Sequence, residues 1–289
     1  MDNQKYLIIA GCSYRWKCDI ESYPDSIPEA FLKGYKIINI DYPASSMEFI
    51  KESIIHKISE LLSNGVDYSN IYLLSNLTNI GRYFVKYPNY MLDGLEQKYI
   101  DSNKIGKYVT TSLIPMEFTK SKKIESWEKT MVTTIQNSRL PIQFFEIYLE
   151  SLVVLQTFLK KHNIAHTLFL INNIFEGWHR NFKHTYSSLK GPIIADLSET
   201  LHISKMSDYC KYLWDLIDLD NFVFHKTAGN NYGGIDEYAI DKFSGDEFLY
   251  ATNPKSVKNY WYGQHPYTPV YTQFSNDYNI SDKIIKHLK

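Results

Sequence analysis

Lys5-Tyr-Leu-Ile-Ile-Ala10, followed by Gly11-Cys12-Ser13-Tyr14, is the stretch on which the fold of this chain turns. A short apolar run that stops at a glycine and then presents a hydroxyl reads as a buried strand. It delivers Ser13 to the carboxyl edge of a sheet, where open α/β folds place their ligands. Ser13 is therefore the candidate nucleophile. Read alone, Gly11-Cys12-Ser13 is no more than a strand-to-helix turn, so the case for chemistry depends on what other segments bring to the same edge.

Working outward, Tyr35-Lys-Ile-Ile-Asn-Ile40 reads as a second strand running into Asp41-Tyr-Pro-Ala-Ser-Ser46. Ser45 or Ser46 then caps a helix that carries Met47, Ile50, Ile54, Ile58 and Leu61 at helical spacing. Asn64-Gly65 ends that helix, and Ile71-Tyr-Leu-Leu-Ser75 supplies a third strand that opens into Asn76-Leu-Thr-Asn79 and on to Arg82. Pro141 starts a long crossover helix through Phe144, Tyr148, Leu152, Leu155 and Leu159. Thr167-Leu-Phe-Leu-Ile171 is the fourth strand, Met206 to Ile217 a shorter helix, and Asn221 to His225 a fifth, edge strand. Residues 83–124 and 175–260 read as insertions or lids, the stretch from Gly229 to Tyr262 as loop, and Thr268 to Leu288 as one closing helix. No linker marks a second domain, so residues 1–289 form one domain. Strands alternating with helices imply a mostly parallel five-stranded sheet covered on both faces.

Composition narrows the partners. With 31 basic and 32 acidic residues and a formal net charge of −1, the chain has no global attraction for nucleic acid or for an anionic membrane. No apolar run approaches the roughly 18 residues that span a bilayer, and no signal peptide opens the chain. Cys12, Cys18 and Cys210 are an odd count without a C-x-x-C pair, which signals neither a disulfide framework nor a zinc site and fits a reducing compartment, the cytoplasm. His179 and His184 lack a third ligand, so no metal site is expected. The dinucleotide fingerprint and the P-loop are both absent.

Hydrolysis through a serine needs a nucleophile, a base and donors aimed at the developing oxyanion. In the order of its polar blocks the chain resembles the SGNH hydrolases, the GDSL esterases and lipases. Gly11-Cys12-Ser13 is similar to that family's Gly-Asp-Ser, with Cys12 where Asp is usual. Asn39-Ile-Asp-Tyr-Pro-Ala-Ser-Ser46 is similar to its Asn-x-x-x-x-Gly-x-Ser block, with Ala44 in the glycine position. Leu74-Ser-Asn-Leu-Thr-Asn79 looks like the strand that leads to an oxyanion asparagine, leaving Asn76 and Asn79 in competition. Tyr262-Gly-Gln-His265-Pro266 is similar to the closing Asp-x-x-His block, with Tyr262 in place of Asp. The motifs leave 83–160 and 175–260 uncovered, and the long insertions with Arg82 resemble bacteriophage-encoded members.

The resemblance implies a flavodoxin-like three-layer αβα sandwich that uses no metal and no cofactor. It also implies roles: Ser13 attacks, His265 takes the proton, and the amides of Ser13 and Ala44 with Asn76 or Asn79 hold the oxyanion. Trp16 and Arg82 would line the pocket. Tyr262 carries no negative charge at neutral pH, since a phenol titrates near 10. Loss of the acid's charge in a serine triad costs about 10⁴ in turnover, so activity would need a Ser–His dyad in which a backbone carbonyl or one of Asp236, Asp241 or Asp246 orients the histidine. The expected function is hydrolysis of small acyl esters, such as O-acetyl groups on a carbohydrate. The alternative is a catalytically silent module, binding or structural, in a larger assembly such as a phage virion.

Overall fold

A computed structural model describes residues 4–11, 34–40, 45–78, 83–87, 104–105, 108–113, 141–171, 173–174, 207–228, 230–242 and 268–288. The chain opens with β1 (Lys5–Ala10), β2 (Tyr35–Asn39), α1 (Met47–Ser63) and β3 (Ile71–Leu77). Three short strands follow, β4 (Tyr83–Tyr87), β5 (Lys104–Ile105) and β6 (Tyr108–Leu113), and then α2 (Pro141–Lys161) and β7 (Ala165–Leu170). The remainder comprises α3 (Asp208–Asp215), β8 (Phe222–Val223), the β9 (His225–Thr227) and β10 (Asn230–Gly233) pair, α4 (Ile235–Lys242), α5 (Thr268–Asp277) and α6 (Ile280–Leu288).

Five strands form one sheet in the order β2-β1-β3-β7-β8, every neighbouring pair parallel. Parallel strands buried on both sides need apolar residues at successive positions, which is why β1 and β3 read as continuous runs. Tyr6, Ile8 and Ala10 of β1 face one core and Leu7 and Ile9 the other. On the first face α1 lays down Ile50, Ile54, Ile58 and Leu61, α2 adds Phe145, Leu149 and Leu152, and α3 adds Cys210 and Leu213. The second face is covered by Ile235, Tyr238 and Ala239 of α4, Phe274 of α5 and Ile280 and Ile284 of α6. Each such side chain contributes about 1.5–3 kcal/mol on burial, so both cores are needed. The described crossover helices from β2 to β3, β3 to β7 and β7 to β8 advance in one direction across the sheet and lie on one face, as right-handed connections require. The result is a three-layer α/β sandwich with flavodoxin-like strand order.

Several expectations need correction. Asn76 and Leu77 belong to β3 itself, paired with Phe169 and Leu170 of β7. The closing helix is two helices, because Asn279 takes a φ of 52°, a left-handed conformation that stops α5 and lets α6 start in a new direction. The loop expected from Gly229 onward contains β10, which pairs with the preceding β9, and α4. Of the span 175–260 read as an insertion, α3 and β8 are part of the main layers. Within 83–124, the described strands form a small antiparallel sheet of order β4-β6-β5 that lies against α1. Among the described residues, no helix is long and apolar enough to cross a membrane.

Candidate functional site

In a sheet of this order the strand connections part company between β1 and β3, and the crevice at their carboxyl ends is where doubly wound folds bind ligands. Gly11 and Asn76 meet there. Register pairs Ala10 with Ser75, so the residues that follow each are level. Gly11 has a φ of 146°, and a Cβ built on it would lie 1.5 Å from the Asn76 Oδ1 and 2.5 Å from its Cγ. Both backbone and space therefore demand glycine. The Asn76 side chain, with the residue only 1% exposed, is thus laid across the end of β1, two positions before Ser13 in the sequence.

Polar residues that a core would exclude gather at the same edge. Ser75 and Thr78 flank Asn76 at the end of β3, and Ser45 and Ser46 precede α1; all four are buried. Ser46 is the N-cap of α1, its Oγ accepting the Phe49 N–H at 3.2 Å, which turns the positive end of a 17-residue helix toward this edge. Ser75 Oγ donates to the Asn76 carbonyl at 3.4 Å. Buried polar groups of this density must be hydrogen-bonded within the protein.

A second polar group closes the β7 side. Glu237, on the first turn of α4, accepts the Gly234 N–H through Oε2 at 2.7 Å and the Asn173 N–H through Oε1 at 2.9 Å. Burial pushes its carboxyl above the usual glutamate range, against the pull of backbone N–H groups of Asn173, Gly234 and Glu237 itself. Gly234 lies so close to β7 that a Cβ on it would be 2.4 Å from the Leu170 carbonyl oxygen and 2.5 Å from that of Ile171. The Gly234 to Glu237 spacing is that of a capping box with glycine as the cap, a signal legible in Gly233-Gly234-Ile-Asp-Glu237 that the loop reading passed over.

His225 is the histidine the structure gives a full set of neighbours. It is 3% exposed, its Nδ1 lies 2.8 Å from the Tyr278 hydroxyl and its Nε2 3.3 Å from Asp241 Oδ2, with the Tyr238 ring edge-on. Burial lowers its pKa and the nearby Asp241 offsets this in part. With both ring nitrogens facing protein groups, His225 ties β9 to α4 and to the break between α5 and α6. Asp241, one of three acids expected to orient His265, faces His225 and Lys242, and His265 itself lies outside the described residues.

Of the expected site residues, Asn76 and Asp241 are the ones the structure describes in full. Ser13, Trp16, Ala44, Asn79, Arg82, Asp246, Tyr262 and His265 lie outside the described residues, as does the side chain of Asp236. Among the described residues no group of three His, Cys, Asp or Glu side chains is placed to hold a metal ion. Fold and crevice together define a doubly wound α/β protein with a polar switch-point site. The sequence matches no known family model and no curated protein.

Proposed function

We propose that this chain is a serine-dependent ester hydrolase of the SGNH type, acting on small acyl esters with O-acetyl groups of a carbohydrate as the substrate class. The observation that carries the reading is the Asn76 side chain seated on Gly11 at the β1/β3 switch point. Asn76 packs its side-chain oxygen on Gly11 at the end of the strand that leads to Ser13, and in this reading its NH2 group supplies the donor that oxyanion stabilisation requires. In this reading Ser13 Oγ attacks the ester carbonyl, His265 accepts its proton and returns it to the leaving alcohol, and Asn76 with the amides of Ser13 and Ala44 bears the developing charge. The proposed place of work is the cytoplasm, or the virion for a bacteriophage-encoded chain.

A second reading, a catalytically silent binding module, is favoured by Tyr262 standing where the family has its acid. One experiment separates the two. Wild type, Ser13→Ala and Asn76→Ala are assayed on 4-nitrophenyl acetate, with circular dichroism to verify folding. The hydrolase reading expects loss of turnover in Ser13→Ala and a fall of about 10²–10³ in kcat for Asn76→Ala, the usual cost of one oxyanion donor. Equal rates in wild type and Ser13→Ala would sink it.

A further inference from the structure

We propose that Glu237 is a positioning residue of the switch-point site: its carboxylate clasps the first turn of α4 to the carboxyl end of β7 and so fixes the β7 side of the crevice. The inference rests on the hydrolase reading for its functional half and on described geometry for the clasp. One side chain reaches two backbone N–H groups that lie on different elements, Gly234 at the cap of α4 and Asn173 beyond β7. Gly234 lets the backbones meet, since any larger residue would press on the carbonyls of Leu170 and Ile171. The end of β7 is in turn bound to the strand that carries Asn76, through the pairing of Asn76 with Phe169 and the Ile171 N–H donated to the Leu77 carbonyl at 3.3 Å. A shift of the clasp is therefore passed to Asn76 through adjacent backbone.

The chemistry of the group is also specific. Among the described residues no cation pairs with Glu237, and the groups that oppose the effect of its burial are three backbone N–H donors. A carboxylate enclosed without a counter-charge is a costly choice for a tether, and it is retained here where two donors converge from two directions. Glutamine cannot take its place, because its NH2 would face one of the two N–H groups and leave that donor without an acceptor.

The test uses the full chain and its Glu237→Gln and Glu237→Asp variants, with Ser13→Ala as the control for the reading on which this rests. Amide hydrogen exchange at Asn173 and Gly234 is measured beside 4-nitrophenyl acetate kinetics, well below the melting temperature of every variant. Expected are a rise of about tenfold or more in exchange at both amides in Glu237→Gln and a fall of about tenfold in kcat with KM within about twofold, as displacement of a positioned group without loss of binding predicts. Glu237→Asp, one methylene short, should recover part of both. Unchanged exchange at both amides in folded Glu237→Gln overturns the clasp whatever the activity. Raised exchange with unchanged kcat leaves a tether and overturns the positioning role. Absence of Ser13-dependent turnover in wild type overturns the hydrolase reading and the positioning role with it, while the exchange data still decide the clasp.

Discussion

Gly11 and Asn76 form a coupled pair, and the coupling can be measured. Gly11→Ala places a methyl group on the Asn76 amide and forces a φ of 146° on a residue that resists it. Overpacking and backbone strain together should cost about 2–4 kcal/mol, read as a lower denaturation midpoint. Asn76→Ala removes the clash with the side chain but leaves the residue-76 carbonyl oxygen, 2.8 Å from the added methyl, and the strain, so the double variant Gly11→Ala/Asn76→Ala should recover part of that loss. Additive destabilisation in the double variant would show that the two residues do not press on each other. How far the sequence told this in advance is instructive. The unbroken apolar runs around Ile8 and Leu73 displayed both strands, and Gly11 marked where the first one ends. What it could not show was that Asn76 is still inside β3, because a buried asparagine within a strand reads as a turn residue until its partner across the sheet is known.

At the scale of elements, helix starts were legible and helix junctions were not. Ser46 stands three residues before Phe49, whose N–H it accepts, and the apolar residues of α1 follow at the spacing that buries them. Such a cap is written in local chemistry, and Ser46→Ala should cost about 1 kcal/mol, visible as a shift in thermal melting without change of fold. A cost near zero would mean that tertiary packing holds the first turn by itself. The break between α5 and α6 depends on a left-handed Asn279, which the apolar period from Val270 through Ile284 hides, since both helices bury one side against the same face. Likewise α4 starts from a glycine that looks like loop in sequence and is needed for close approach in space. Local signals report caps and periods, whereas close approach is decided by what lies opposite.

Among the described residues, three histidines with lowered pKa values shape the acid response. His166, His225 and His287 all have pKa values lowered from the ordinary 6.5, first by burial. Each is thus neutral in the fold at a pH where the unfolded chain has begun to bind protons. The stability this represents is complete above 6.5 and is lost as pH falls through that value toward the lower native ones. Glu237 acts in the opposite sense: its raised pKa contributes stability that is present below the ordinary glutamate value and lost as pH rises through the native one. Melting temperatures should therefore fall between pH 7.5 and 5, and more steeply in Glu237→Gln than in wild type. A flat profile in wild type would mean that the buried imidazoles gain compensating partners on protonation.

The two faces of the sheet are covered by different parts of the chain, and this bears on how the molecule is made. The first face is roofed by helices that arrive between the strands they connect, so each new strand brings its cover with it. The described cover of the second face lies wholly in residues 235–288, and it is fastened across great distances: the Tyr35 hydroxyl donates to the Ile284 carbonyl, 249 residues away, and Lys5 to that of His287, 282 away. On a ribosome that releases the chain from its amino end, Leu7, Ile9, Leu74 and Phe169 wait for α4, α5 and α6 until synthesis has passed residue 288. Contacts of such high order close slowly, and an apolar sheet face that waits for its cover is the kind of surface that chaperones hold and aggregates recruit.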